Sequence, residues 1–131
     1  MNPVISGFTD AEARIIAQGS RIFWYNVPAV IHATTQQYTL KDILPQLDMS
    51  IFQYLDSVVI LNNSALPVHF YLNGQADNDY YILPYGTQPI TRRAFRSFAF
   101  YNPDGANDIA ANLITMNMRR LPPGIGMTIQ S

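Results

Sequence analysis

The fold class is decided by residues 57–74, whose sequence is SVVILNNSALPVHFYLNG. Residues 57–61 are a continuous, largely apolar run, which predicts a central strand covered on both faces. The Asn-Asn-Ser sequence at 62–64 favours a turn, because these residues tolerate turn conformations. Residues 67–72 alternate, which predicts a second strand with Val68, Phe70 and Leu72 on its inner face and His69 and Tyr71 on its outward face. Asn73-Gly74 is a strong turn signal. We therefore predict that these two strands form a hairpin.

Other strand-sized segments flank this stretch and are separated by turn residues. They lie at 21–27, 29–33, 35–40, 80–83, 87–91, 95–101 and 113–118. Short strands at intervals of roughly ten residues are typical of an antiparallel sandwich or barrel. The sequence therefore predicts an all-β fold, an antiparallel β-sandwich of jelly-roll-like form.

Helical signals are few and peripheral. Thr9-x-x-Glu12 forms a capping box and predicts a short N-terminal helix to about residue 18, with a strand over 14–17 as the alternative. Thr39-x-x-Asp42 predicts one capped helical turn, which Pro45 ends.

The domain organisation follows from the chain length of 131 residues, which suits one domain with one core. We expect an N-terminal arm and short helix at 1–20, the β-sandwich domain at 21–120 and a C-terminal tail at 121–131. Both arms are expected to be extended, because Pro3 and Gly7 lie in the first and Pro122-Pro123-Gly124 opens the second.

The composition indicates a surface that is covered by other protein chains. Charged residues make up 13% of the sequence, against about 25% in an ordinary soluble domain, while hydrophobic residues make up 48%. A weakly charged surface resists self-association poorly. We therefore expect a homo-oligomer that also contacts other proteins.

Charge and targeting features argue against several other partners. The net charge of −1 gives no general attraction to nucleic acid or to anionic membranes, so nucleic acid is a minor alternative. The first eight residues lack the features of a secretory signal, and no apolar run approaches the roughly 20 residues of a membrane-spanning helix. Without cysteine, disulfides and thiolate chemistry are excluded.

Catalytic and metal-binding motifs are also missing, so we expect no enzyme activity, cofactor or metal. His32 and His69 are the only histidines, and they form no metal-ligand spacing. A hydrolase would need one of them beside a carboxylate in a pocket. Residues 77–79, Asp-Asn-Asp, offer oxygen ligands for calcium, but a solvated loop is the favoured interpretation.

Arginines interleaved with aromatic residues are typical of interfaces, because both residue types are more frequent in protein interfaces than on the rest of the surface. The same mixture also suits the stacking of single-stranded nucleic acid. The pattern leaves open which of the aromatic side chains face the core. The interface candidates are Trp24, Tyr25, Tyr81, Tyr85, Arg92, Arg93, Phe95 and Arg96.

Three segments together resemble small β-sandwich structural proteins of bacteriophage virions. They are residues 57–74, the sequence YILPYGT at 81–87 and the sequence FRSFAFYN at 95–102. The resemblance spans residues 57–118 and implies a capsid, decoration or tail-associated subunit, located in the virion and assembled in the host cytoplasm. It also implies that the terminal arms lie across neighbouring subunits.

The first hypothesis is thus a non-enzymatic virion structural protein that assembles through protein contacts. The alternative is a module of the same fold that binds carbohydrate or single-stranded nucleic acid through exposed tyrosines.

Overall fold

A computed structural model describes residues 22–45, 47, 53–75 and 79–121 of the chain. The predicted N-terminal helix and both terminal arms lie outside these ranges, apart from Leu121. The described strands are β1 (Ile22–Asn26), β2 (Thr35–Thr39), β3 (Ser57–Asn62), β4 (Val68–Leu72), β5 (Asp79–Ile82), β6 (Thr87–Ile90), β7 (Ser97–Tyr101) and β8 (Ile114–Arg119). One helical turn, α1 (Leu40–Ile43), follows β2.

The strands form two four-stranded sheets in which all pairs are antiparallel. Sheet 1 has the order β1-β8-β3-β6, and sheet 2 has the order β2-β7-β4-β5. Both sheets contribute to a single buried cluster of apolar side chains. The predicted all-β, sandwich-like architecture is therefore confirmed. Among the described residues, no helix has the length and apolar content needed to cross a membrane.

The predicted hairpin between β3 and β4 is wrong. Strand β3 pairs with β6 and β8, whereas β4 pairs with β5 and β7, so residues 63–67 carry the chain from one sheet to the other. Asn62 holds this crossing, because its buried amide donates to the carbonyl oxygens of Leu66 at 2.8 Å and Leu83 at 3.2 Å. A side chain thus replaces the ladder bonds that a hairpin would have made.

The prediction that β3 is covered on both faces also needs correction. Val58 and Ile60 point inward and are buried, but Val59 and Leu61 point outward and are only half-buried. The strand is central because it has a neighbour on each edge. Its apolar outer positions are therefore part of the molecular surface.

The core between the sheets is strongly aromatic. The ring of Phe70 lies 5.1 Å from that of Phe100 and 5.6 Å from that of Phe98, centroid to centroid. Tyr38 stacks on Phe98 at 5.3 Å. Sheet 1 supplies β-branched residues and methionines opposite these rings, including Met116, which is fully buried. Tilted and edge-on ring contacts of this kind add to the free energy gained by burial.

The predicted helical turn is confirmed as α1. Its N-cap is Thr39, whose hydroxyl oxygen accepts a hydrogen bond from the backbone N–H of Asp42 at 3.3 Å. The turn buries Leu40 and packs beside β2. It ends before Pro45, as the sequence predicts.

Candidate functional site

The outer face of sheet 1 is apolar at its centre and almost free of charge. Strand register aligns Trp24, Asn117, Val59 and Pro89 in one row across all four strands. Side-chain alternation places the other outward residues beside this row. We call the whole set the Trp24 face, and its members are Ile22, Trp24, Asn26, Ser57, Val59, Leu61, Thr87, Pro89, Thr115, Asn117 and Arg119.

Large apolar side chains of the Trp24 face are exposed to solvent. Trp24 is 63% exposed and Ile22 is 42% exposed, whereas most large apolar side chains of the described chain lie in the core. The only charged member of the face is Arg119. A large ring on a weakly charged sheet surface is the kind of residue that dominates protein interfaces.

Asn117 lies at the centre of the Trp24 face, between Trp24 on one neighbouring strand and Val59 on the other. Its Oδ1 atom is buried and has no hydrogen-bond partner among the described residues. A shallow cavity of about 250 Å³ adjoins it, with Val59 and Arg119 in the lining. A buried carbonyl oxygen without a donor costs about 1–3 kcal/mol, so Oδ1 of Asn117 lowers the stability of the described fold.

A second cavity, of about 310 Å³, lies beside Trp24 at the edge of sheet 1. Its described lining is almost wholly apolar and comes from β1 and from the segment after β2: Ile22, Phe23, Trp24, Ile43, Leu44, Pro45 and Leu47. The cavity extends the apolar surface of the Trp24 face around the edge strand.

The outer face of sheet 2 carries a different set of side chains. Register aligns Thr35, Tyr101, His69 and Tyr81 in one row across the four strands. A parallel row contains Gln37, Ala99, Tyr71 and Asp79. We call these eight residues the His69 face. The sequence prediction that His69 points outward is confirmed, since it is partly exposed while Val68 and Phe70 are buried.

Three tyrosine rings surround His69. The centroid of its imidazole lies 4.8 Å from the ring of Tyr81, 5.8 Å from that of Tyr101 and 6.2 Å from that of Tyr71. Asp79 lies on the same face, with its carboxylate oxygens 2.8 and 2.9 Å from Nδ1 of His69. A carboxylate only accepts hydrogen bonds, so Nδ1 carries the proton.

The hydroxyl of Tyr71 stays protonated and remains a hydrogen-bond donor. Burial raises the pKa of Tyr71 above its ordinary value, and the negative charge of Asp79 and the nearby Tyr101 raise it further. Ionised phenolate is therefore disfavoured at this position. The face combines neutral ring surfaces with hydroxyl, imidazole and carboxylate groups.

His69 and His32 both contact a carboxylate on the surface. His32 also pairs with a carboxylate, since its Nδ1 lies 2.6 Å from Oδ1 of Asp108. The backbone N–H of His32, and then its ring, hold the pKa of Asp108 below the usual range. Both pairs lie on the surface, and neither histidine lines one of the described cavities. The described residues also contain no group of three metal-ligating side chains, and residues 76–78 of the acidic loop lie outside them.

Six of the eight interface candidates are exposed side chains, but they are not gathered in one place. Trp24 lies on the outer face of sheet 1, and Tyr81, 51% exposed, on that of sheet 2. Tyr85 is 71% exposed, in the turn between β5 and β6. Arg92 and Arg96 are exposed near the start of β7. Their role in an interface stays a prediction.

Three of the candidates make described side-chain contacts within the chain. Phe95 is 1% exposed and forms an antiparallel β-bridge with Leu55, so it belongs to the core rather than to an interface. Tyr25 points inward, is half-buried and lies 6.1 Å from the ring of Tyr38. Arg93 is exposed but donates a hydrogen bond from Nη1 to the hydroxyl of Tyr80 at 2.9 Å.

Sequence reasoning missed Asn117, Tyr71 and Tyr101 as members of candidate sites. The alternation in residues 68–72 already placed His69 and Tyr71 on one face. Tyr101 could not be added, because its place beside His69 depends on the pairing of β4 with β7, which are far apart in sequence.

Comparisons of the chain with protein-family models, with curated protein sequences and with solved structures find no match.

Proposed function

We propose that the chain is a non-enzymatic structural subunit of a virion, assembled in the host cytoplasm, which associates with further copies of itself through the Trp24 face. The observation that carries the proposal is the exposed, nearly uncharged sheet surface around Trp24.

The strand order supports the proposal at the level of the fold. Eight antiparallel strands in two sheets, ordered β1-β8-β3-β6 and β2-β7-β4-β5, are the arrangement expected of a jelly roll built from two Greek keys. Jelly rolls occur in viral capsid proteins, and also in lectins and cupins. This argument is one of analogy, so the choice among these functions rests on the surfaces.

A second copy of the chain is the occupant that best suits the Trp24 face. A two-fold axis brings the same patch of both copies together, so the apolar positions of one copy meet those of the other. The Trp24 rings then cover the flanking apolar positions.

The size of the face predicts a weak contact. Four strands about 4.8 Å apart and five residues long cover roughly 300 Å², against about 800 Å² per partner in a standard interface. The apolar cavity beside Trp24 adds surface from Ile43 to Leu47. Association is therefore expected to depend on concentration and to be completed by additional contacts in a lattice.

Light scattering over a range of concentrations tests this proposal. The wild-type chain should show a mass above that of the monomer, rising with concentration. Trp24→Asp should remain monomeric, because it places a charge at the centre of the contact. Tyr85→Asp is the matched control, since it changes an equally exposed ring outside the face and should associate like wild type. A strictly monomeric wild type, or equal masses for Trp24→Asp and wild type, would overturn self-assembly through this face.

A further inference from the structure

The His69 face carries a second, separate inference, which does not depend on self-assembly. Its rings lie on the opposite side of the sandwich from the Trp24 face. Tyr81 is half exposed, and the side chains of His69 and Asp79 are 23% and 38% exposed. The face is thus a surface of accessible rings with polar groups fixed between them.

We propose that the His69 face binds an uncharged saccharide, with Tyr81 as the ring on which the sugar stacks. One side of a pyranose ring presents polarised C–H groups, which are attracted to the electron-rich face of an aromatic ring. Its rim presents hydroxyl groups that both donate and accept hydrogen bonds.

The polar groups of the face match that rim. Asp79 accepts from Nδ1 of His69, which leaves Nε2 as the ring nitrogen that can contact a sugar hydroxyl. Asp79 retains further lone pairs, and the hydroxyl of Tyr71 stays protonated as a donor because its pKa is raised. Donors and acceptors are therefore both present within one side-chain length of the Tyr81 ring.

The charge of the face selects a neutral ligand over a nucleic acid. No arginine or lysine occupies an outward position of β2, β4, β5 or β7, and Asp79 is the one acidic residue there. A phosphodiester backbone would meet this carboxylate without a neighbouring cation, whereas strands of nucleic acid are bound by grooves of positive charge. Sulfated and sialylated glycans are disfavoured for the same reason.

The longer side chains of the face pack over a small residue. Ala99 occupies an outward position between Gln37 and Tyr71 and is fully covered by its neighbours. A small side chain there lets the longer ones around it lie across the sheet.

A glycan array printed with neutral, sialylated and sulfated glycans tests the proposal, with single-stranded DNA binding measured in parallel by fluorescence anisotropy. The wild-type chain should bind neutral glycans and show no preference for the charged glycans or for DNA. Tyr81→Thr keeps a strand-forming residue and should weaken neutral-glycan binding about tenfold or more, as loss of a stacking ring does. Tyr85→Asn is the control, since asparagine tolerates the φ angle of 57° at this position, and it should bind like wild type.

A second variant tests the proposal even if Tyr81→Thr does not fold. Asp79→Asn retains the shape of the side chain but removes the charged acceptor, and it should weaken neutral-glycan binding several-fold while leaving the thermal unfolding midpoint near wild type. The proposal is overturned if no neutral glycan binds, if DNA or anionic glycans bind better, or if both variants bind neutral glycans as wild type does. All variants are measured in the Trp24→Asp background, so that failure of self-assembly cannot be mistaken for failure of glycan binding.

Discussion

Trp24 and Asn117 are direct cross-strand partners on the outer face of sheet 1. Their side chains contrast, because the apolar ring is 63% exposed while the polar amide has a buried oxygen without a partner among the described residues. This is the reverse of what an isolated domain favours, since burial normally stabilises apolar groups and penalises unpaired polar ones.

The orphaned oxygen makes a prediction about stability. In the monomeric Trp24→Asp background, Asn117→Val should raise the free energy of unfolding by about 1 kcal/mol, because it removes a desolvated acceptor and adds a strand-forming residue. Urea denaturation measures the change. Thr115→Val, at the neighbouring outward position of β8, should stay within about 0.5 kcal/mol. A loss of stability in Asn117→Val would mean that the amide is hydrogen-bonded within the monomer.

The crossing between the sheets should depend strongly on Asn62. Its side chain is fully buried, and Oδ1 accepts from the backbone N–H of Ser64 at 3.0 Å and from its hydroxyl at 2.8 Å. Asn62→Ala removes these bonds and leaves the buried backbone N–H of Ser64 without its acceptor, while the carbonyl oxygens of Leu66 and Leu83 keep donors in the Ser64 hydroxyl and the Gly86 N–H. We expect a loss of about 3 kcal/mol in chemical denaturation. Asn63→Ala, at the exposed neighbour, should cost less than about 0.5 kcal/mol. Similar losses in the two variants would contradict the network's role.

Backbone strain at Ala33 predicts a stabilising substitution. Ala33 is exposed and has a φ angle of 53°, in the left-handed region that disfavours a Cβ atom. Ala33→Gly should therefore raise the thermal unfolding midpoint and add about 0.5–1 kcal/mol of stability. Ala110→Gly, exposed and without a positive φ, should instead lose a similar amount. The prediction fails if both glycine variants are destabilised.

Tyr38 predicts a loss of stability in alkali. Burial, and then the nearby Tyr25, raise the pKa of Tyr38 from 10.0 to about 12. An unfolded chain releases this proton at a lower pH than the folded chain does. The contribution is thus present below pH 10 and is lost as pH rises to about 12.

Urea denaturation between pH 9 and pH 12 checks this prediction. Wild type should lose stability across that range more steeply than Tyr38→Phe, which has no phenol at this position. Tyr85→Phe, at an exposed position, should follow the wild-type slope. If the free energy of unfolding falls equally with pH in wild type and in Tyr38→Phe, the phenol of Tyr38 does not contribute to the loss of stability.

Local patterns in the sequence predicted the strands well, because alternation depends only on neighbouring residues. Val68 and Phe70 faced inward as expected, and Thr39 capped its helical turn. Pairing was harder, since the order of strands in a sheet depends on contacts between distant segments. The connection after Asn62 was therefore taken for a hairpin although it crosses between sheets.

For the candidate sites, too, local sequence predicts some features, whereas others depend on strand pairing. Trp24 and Tyr81 could be proposed as surface residues from residue type alone. Phe95 was proposed as an interface residue but lies in the core. An aromatic residue near the start of a strand can face either way, and its β-bridge to Leu55 cannot be read from the sequence. The grouping of Tyr101 with His69, and the orphaned oxygen of Asn117, require the registers of three strands at once.

Trp24 is the only tryptophan of the chain, so its fluorescence reports directly on the proposed contact. Emission spectra and acrylamide quenching are measured across the same concentrations as the mass. The account predicts that at low concentration Trp24 emits and quenches as a water-exposed indole, and that the emission shifts to the blue and quenching falls as the mass rises. A rising mass with unchanged, fully quenched emission would place the contact elsewhere and would contradict assembly through the Trp24 face.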